Sequence, residues 1–268
     1  MLSKLFKYEL KATARLFLPI YLTILIFAVI NRFFFSLPNM GESMTISSIM
    51  MFISMLVYVS LMIGMVLMTL VVMIQRFYKN LLGDEGYLMF TLPVQSWKHI
   101  LSKLTTSMLW TIASGIVALC SILIIASKEI FTPEFLKELP MVLNVIKEYL
   151  GSYTYIVGFE MVVLCLLSLS TTILTIYAAI SLGHLFNKYK LLASFGMYIV
   201  LETISQIFMT IFVFLFWNQA IFRMEVNFIP SASQISTFTL FTIFYFGAIT
   251  AAYFTLTNYI LKKKLNLE

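Results

Sequence analysis

Charge is scarce in this chain. Of its 268 residues only 11% are Asp, Glu, Lys or Arg, less than half the roughly 25% of a soluble domain, while 61% are hydrophobic and the mean hydropathy is +0.96. A soluble globule of this length has no interior large enough for so much apolar surface, so that class is excluded. Cysteine is nearly absent: Cys120 and Cys165 both sit in apolar runs, which excludes a disulfide framework. The two histidines, His99 and His184, fall in different connections, and neither HExxH nor paired-cysteine spacing occurs, so no metal site is expected. None of the ten glycines is followed by lysine, which excludes a phosphate-binding loop of the GxxxxGK(S/T) type. An intramembrane protease needs acids and histidines, or a Ser-His pair, at membrane depth, where Glu202 stands nearly alone. No catalytic residue is expected, and uphill transport would have to draw on a partner or an ion gradient.

What is present is a series of long apolar runs. About 20 apolar residues cross a hydrocarbon core of about 30 Å. Six segments qualify, roughly 16–35, 47–75, 104–126, 157–183, 191–217 and 236–261. The expected fold is all-α: one polytopic transmembrane domain over residues 1–268, with six spans. The second run carries no charge from Met44 to Ile74, more than an upright crossing requires, so tilt or protrusion is expected. The first run is too long for a cleavable signal, and Asn31 and Arg32 follow it where small residues would be needed.

Thirteen of the 18 lysines and arginines lie at the ends and in the even-numbered connections. The other five are Arg32, Lys128, Lys137, Lys147 and Arg223. The imbalance places both termini in the cytoplasm and attributes the basic character to membrane topology, not to nucleic-acid binding. At 100° per residue, Lys4, Lys7, Lys11 and Arg15 share one narrow helical face. Leu2, Leu5, Phe6, Thr13 and Leu16 lie broadly opposite, with Glu9 intruding. This pattern predicts an amphipathic helix in the cytoplasmic interface, its cations on anionic lipid head groups, with a bend or fresh start at Pro19. A simple positive flank to the first span is the alternative.

The outer connection at 127–152 is also patterned. Thr132-Pro133-Glu134 reads as a helix start, with a capping hydroxyl, proline in the first turn and an early acid. Phe135, Leu139, Val142, Ile146 and Tyr149 keep helical spacing, Glu134, Lys137, Glu138, Lys147 and Glu148 supply polar surface, and Gly151 suits a stop. Pro140 is a candidate kink. The expected role is an external helix covering the bundle.

Between the second and third spans lies "RFYKNLLGDEGYLMFTLPVQSWKHILSK", residues 76–103. Gly83 breaks the incoming helix, and Asp84 and Glu85 open a short helical turn where carboxylates meet the positive end of the helix dipole. Pro93 halts it, and Ser96 can cap the next helix. A short transverse helix presenting the acids with Tyr87, Met89 and Phe90 suits docking into a groove on a cytoplasmic protein. An ordinary interfacial loop with buried aromatics is the other reading.

This segment resembles the cytoplasmic loop of bacterial ATP-binding-cassette (ABC) transporter permeases of the type-2, exporter-like class. Glu85, Gly86, Thr91, Leu92, Pro93, Val94 and Lys103 match the family's acid-Gly, Thr-Leu-Pro and Lys pattern, while Gln95 stands where serine is common. The resemblance implies that the loop holds a coupling helix, with Asp84, Glu85, Gly86, Tyr87, Met89, Phe90 and Pro93 docking into a separate ATPase subunit. It further implies that ATP is bound by that subunit, that a second permease, identical or related, completes the pathway, and that the site of action is the bacterial cell membrane.

Polar groups at membrane depth are the remaining candidates. Glu202 lies 12 residues beyond Lys190, about 18 Å along the helix, with Gln206 and Thr210 following at i+4 spacing. This stripe lines a translocation pathway or dimer seam, or bonds neighbouring helices. Ser168, Thr171, Thr172 and Thr175 form a milder stripe read as helix-to-helix glue, and Glu160 is expected near the outer interface. Two other functions stay open: a secondary carrier or channel with Glu202 as a proton site, and a non-transporting scaffold or sensor. Against the carrier, residues 1–134 and 135–268 show no repeat and no span is doubly broken by glycine or proline. The substrate is not legible.

Overall fold

The computed structural model describes residues 2–36, 46–83, 94–127, 132–186, 188–220 and 230–263. Every regular element among them is helical, with no strand. In chain order the α-helices are α1 (Leu2–Ser36), α2 (Ile46–Phe77), α3 (Ser96–Ile125), α4 (Pro133–Leu150), α5 (Thr154–Gly183), α6 (Lys190–Ala220) and α7 (Ala232–Lys263). A π-turn, Tyr78–Leu82, prolongs α2, and a 3₁₀ turn, Gly151–Tyr153, joins α4 to α5. Six helical segments are long and apolar enough to cross a membrane, one for each apolar run in the sequence.

The helices also correct several expectations. No separate interfacial helix precedes the first span: α1 runs unbroken through Pro19. Proline removes one backbone donor, but Phe17, Tyr21, Ile24 and Ala28 pack on one core cluster across it, and the next turn is fastened where Thr23 Oγ1 donates to the Pro19 carbonyl at 2.8 Å. Lys4, Lys7, Lys11 and Arg15 are all exposed along this helix. At α4 the Phe135 N–H donates to Thr132 Oγ1 at 3.3 Å, as the capping pattern requires, and the helix continues through Pro140. Gly151 ends it at φ +52°, a conformation that glycine adopts without strain. Side chains 139–149 of α4 are exposed, so among the described residues this stretch covers no bundle.

The contacts gather into two compact units, Met1–Arg76 with Thr105–Val142, and Phe77–Leu104 with Leu143–Glu268. In the first unit, Trp110 of α3 stacks on Phe17 of α1 at 4.6 Å and 11°, and its indole N–H donates to Thr13 Oγ1 at 2.7 Å. Tyr21 and Ser114 exchange a hydrogen bond at 2.8 Å, and Thr69 of α2 reaches the same serine at 3.2 Å. Tyr58 meets Ser121 at 2.8 Å, and the Asn31 amide donates to the Ser54 carbonyl at 3.3 Å. These pairs make α1 parallel to α3 and α2 antiparallel to α1. Apolar side chains alone do not choose neighbours in lipid, so such bonds and close packing do.

In the second unit, Glu160 with Ser236 and Thr171 with Thr250 show α5 parallel to α7. Tyr245 with Ser205 and Tyr253 with Leu201 show α6 antiparallel to α7. Tyr189, at φ +55°, closes the short link from α5 to α6. There the two backbones nearly touch: a Cβ on Gly183 would lie 2.4 Å from Ser194 Cα and N. An interhelical hydrogen bond in a membrane is worth about 0.6 kcal/mol, so this steric limit outweighs any one of them.

Replacing Gly183 by Ala is therefore expected to destabilise the second unit by about 1–3 kcal/mol or more, as overpacking does. Fluorescence-detected gel filtration after a temperature ramp checks it: a Gly183→Ala protein as heat-resistant as the parent contradicts the close approach.

Candidate functional site

The residues expected to dock a partner, Asp84, Glu85, Gly86, Tyr87, Met89, Phe90 and Pro93, lie outside the described residues. Both flanks of that segment are described. On the incoming side the Gly83 N–H reaches back five residues to the Tyr78 carbonyl at 2.9 Å, the signature of a π-turn, and Asn80, Leu81 and Leu82 are buried. One extra residue in the helical turn re-aims the chain, and such turns recur at functional sites. Phe77, fully buried, stacks on Tyr177 of α5 at 4.1 Å and 8°.

On the outgoing side α3 begins at Ser96, with the Gln95 carbonyl accepting the Lys98 N–H at 2.9 Å. The capping position thus falls on Gln95, one residue before the serine expected to fill it; the Gln95 amide oxygen instead holds the Trp97 indole N–H at 2.8 Å. His99, Ile100, Ser102, Lys103 and Leu104 lie buried within the next turn and a half. Lys103 is only 4% exposed, rare for a lysine, which is buried only where its charge is engaged. Both flanks belong to the second unit.

His184 ends α5 on the same unit. Its ring stands edge-on to Tyr78 at 5.8 Å, and its Nδ1 is buried without a hydrogen-bond partner among the described residues. Burial, reinforced by the Lys190 charge, lowers its pKa below the ordinary histidine value.

The stripe on α6 does not converge on one interior line. Glu202 is half-buried, within electrostatic reach of the Tyr198 and Tyr253 phenols. Gln206 and Thr210 are exposed, and Thr210 Oγ1 donates to the Gln206 carbonyl at 2.8 Å. The inward line of α6 instead runs through Leu201 and Ser205. There the Tyr253 hydroxyl donates to the Leu201 carbonyl at 3.1 Å and the Tyr245 hydroxyl to the Ser205 carbonyl at 2.6 Å. Sequence reasoning missed these two tyrosines, although their i, i+8 spacing and their need for hydroxyl partners at membrane depth were readable. On α5, Thr171 alone of the predicted stripe bonds a neighbouring helix among the described residues, meeting Thr250 Oγ1 at 2.7 Å. Ser168, Thr172 and Thr175 donate to carbonyls of their own helix.

Glu160 is the most deeply enclosed acid among the described residues, 4% exposed. Ser236 Oγ donates to its Oε1 at 2.7 Å, and Oε2 is buried without a partner among the described residues. The serine stands just inside the capped start of α7, where Ser231 and Gln234 form a reciprocal capping box. Among the described residues no group of three His, Cys, Asp or Glu side chains could hold a metal ion.

The Glu160 and His184 placements are each open to a direct check. Ser236→Ala strips Glu160 of its serine donor and is expected to cost about 1–3 kcal/mol, whereas Glu160→Gln keeps an acceptor for the serine at nearly the same volume, so it is expected to cost less. Thermal unfolding in one detergent ranks the pair, and the reverse order contradicts the pairing. For His184 the folded pKa lies below the unfolded value of about 6.5, so between the two values the unfolded chain binds more protons than the folded one. Its contribution is neutral well above pH 6.5 and increasingly destabilising as pH drops through that value and below. Melting temperatures from pH 8 to pH 5 are expected to fall less steeply in His184→Gln than in the parent, and parallel curves contradict this.

No protein family, no curated protein and no solved structure matches this chain.

Proposed function

We propose that this chain is the membrane-spanning permease subunit of an ATP-driven ABC exporter in a bacterial cell membrane. In this reading both termini are cytoplasmic, a separate ATPase subunit docks on residues 84–93, and a second permease, identical or related, completes the translocation pathway. Six apolar helices, the loop pattern and the absence of a phosphate-binding loop in the sequence support it.

The observation that carries the proposal is the fastening of both ends of the loop. A segment that transmits force must be held where it joins the translocation path, or the force dissipates in local motion. Here Phe77 is stacked on Tyr177, Leu81 and Leu82 are buried beyond it, and Ile100 and Leu104 are buried on the return. Movement imposed on residues 84–93 passes through Phe77 into α5. The cations Lys4, Lys7, Lys11 and Arg15 rest on anionic head groups, and Glu202, Gln206 and Thr210 face the pathway or the second permease. The exposure of Gln206 favours that placement, since lipid offers an amide no partner.

Detergent co-purification with ABC ATPase subunits of the same cell tests the reading. The native chain is expected to retain one, and a folded variant with Asp84, Glu85, Tyr87 and Phe90 all replaced by Ala to lose it. Glu202→Ala is expected to lower transport several-fold while ATPase association persists. If no ATPase co-elutes with the native chain, the proposal falls, and a carrier with Glu202 as its proton site becomes the reading to pursue.

A further inference from the structure

Helix α4 is not explained by a permease mechanism, and its exposed face has a composition of its own. At 100° per residue, Phe135, Leu139, Val142, Leu143, Ile146 and Tyr149 occupy an arc of about 120°. Lys137, Asn144, Lys147 and Glu148 occupy the opposite arc, and Glu138 lies at the edge of the apolar one. All of these side chains, apolar and polar, are exposed. Five charged residues in this one helix keep it from lying across a hydrocarbon core, yet its apolar arc is too wide and too continuous to rest in water.

The neighbouring elements fix its position. The 3₁₀ turn Gly151–Tyr153 leads directly into the membrane-crossing helix α5. Within the first turns of α5, Tyr155, Ile156 and Phe159 are already exposed apolar side chains, with Tyr155 at 84%. The C-terminal end of α4 is also tied down, because the Tyr149 hydroxyl donates to the Pro230 carbonyl just before α7. The end of α4 is thus held where α5 and α7, both long and apolar enough to cross a membrane, begin.

We propose that α4 lies in the bilayer interface and that its apolar arc is covered by lipid. The occupant is the leaflet that α5 and α7 enter, and the binding is apolar. The charge pattern separates α4 from the N-terminal cationic face. Lys137 and Lys147 are outweighed by Glu134, Glu138 and Glu148, so anionic head groups gain nothing, whereas Lys4, Lys7, Lys11 and Arg15 form a single cationic row. Buried in the interface, α4 acts as a float that fixes the depth of α5.

The full chain, with Cys120 and Cys165 replaced by Ser, tests this when single cysteines at Val142, Ile146, Asn144 and Lys147 are spin-labelled in vesicles. Labels at 142 and 146 are expected to be several-fold more accessible to oxygen than to a water-soluble nickel chelate, and labels at 144 and 147 the reverse. The pattern is expected to be the same in pure phosphatidylcholine, in mixtures with phosphatidylglycerol and at high salt. Chelate access at 142 and 146 would place the face in water and overturn the proposal. Shielding from both reagents would mean that protein, such as a second copy, covers the arc, and overturns it equally. A pattern that appears only with anionic lipid refutes the apolar mode.

Discussion

Polar side chains that meet across neighbouring helices set the register within each unit of this protein. The Trp110 indole N–H finds Thr13, and Tyr21 and Thr69 converge on Ser114. In the other unit Ser236 finds Glu160, Thr171 finds Thr250, and Tyr245 and Tyr253 find carbonyls of α6. Each bond is worth little alone, about 0.6 kcal/mol. Their effect is on register. A helix shifted by one turn loses its partners together, while its apolar side chains, surrounded by lipid or by other side chains, would scarcely register the move. Gly183 adds the steric half of the same logic, since there two helices approach to backbone contact.

The spans were legible because length and hydropathy are summed over many residues, so no single side chain decides them. Local punctuation was partly legible. Thr132 and Gly151 bound α4 as their chemistry requires, because a cap and a positive φ are satisfied within a few residues. Pro19 starts no fresh helix, because Phe17, Tyr21 and Ile24 pack on one cluster across it. Ser96 misled by one position, since Gln95 fills the role from its backbone. The candidate site was least legible. Helix neighbours depend on pairs far apart in the chain, such as Glu160 with Ser236 and Thr171 with Thr250, and no periodicity within one helix reveals them.

The connection between the second and third spans gains its interest from its ends. A π-turn on one side and a buried run on the other, with His99 and Lys103 inside it, anchor both flanks in the second unit. Polar groups are placed in a low-dielectric environment only where geometry holds them. A loop meant merely to link two spans needs none of this. In the proposed reading, buried flanks serve the docking segment between them, because binding energy spent on ordering flanks is lost to affinity.

Thr171 and Thr210 show why a polar stripe is ambiguous and which member of it is not. Both threonines donate to the carbonyl four residues back, at 2.8 Å in each case, so each hydroxyl is content without a neighbour. Of the two, Thr171 also meets another helix. Hydroxyl stripes therefore carry little information about what lies beside them. Gln206 is different. Its amide offers two donors and an acceptor, more than one back-bond to its own helix can satisfy, and it is exposed on α6 at membrane depth. A face that sets such a group against lipid leaves those groups unbonded at every moment, whereas a water-filled path or a second polypeptide supplies the missing partners. In the reading proposed above, Gln206, more than the half-buried Glu202, marks the side of α6 that faces the pathway or the second permease.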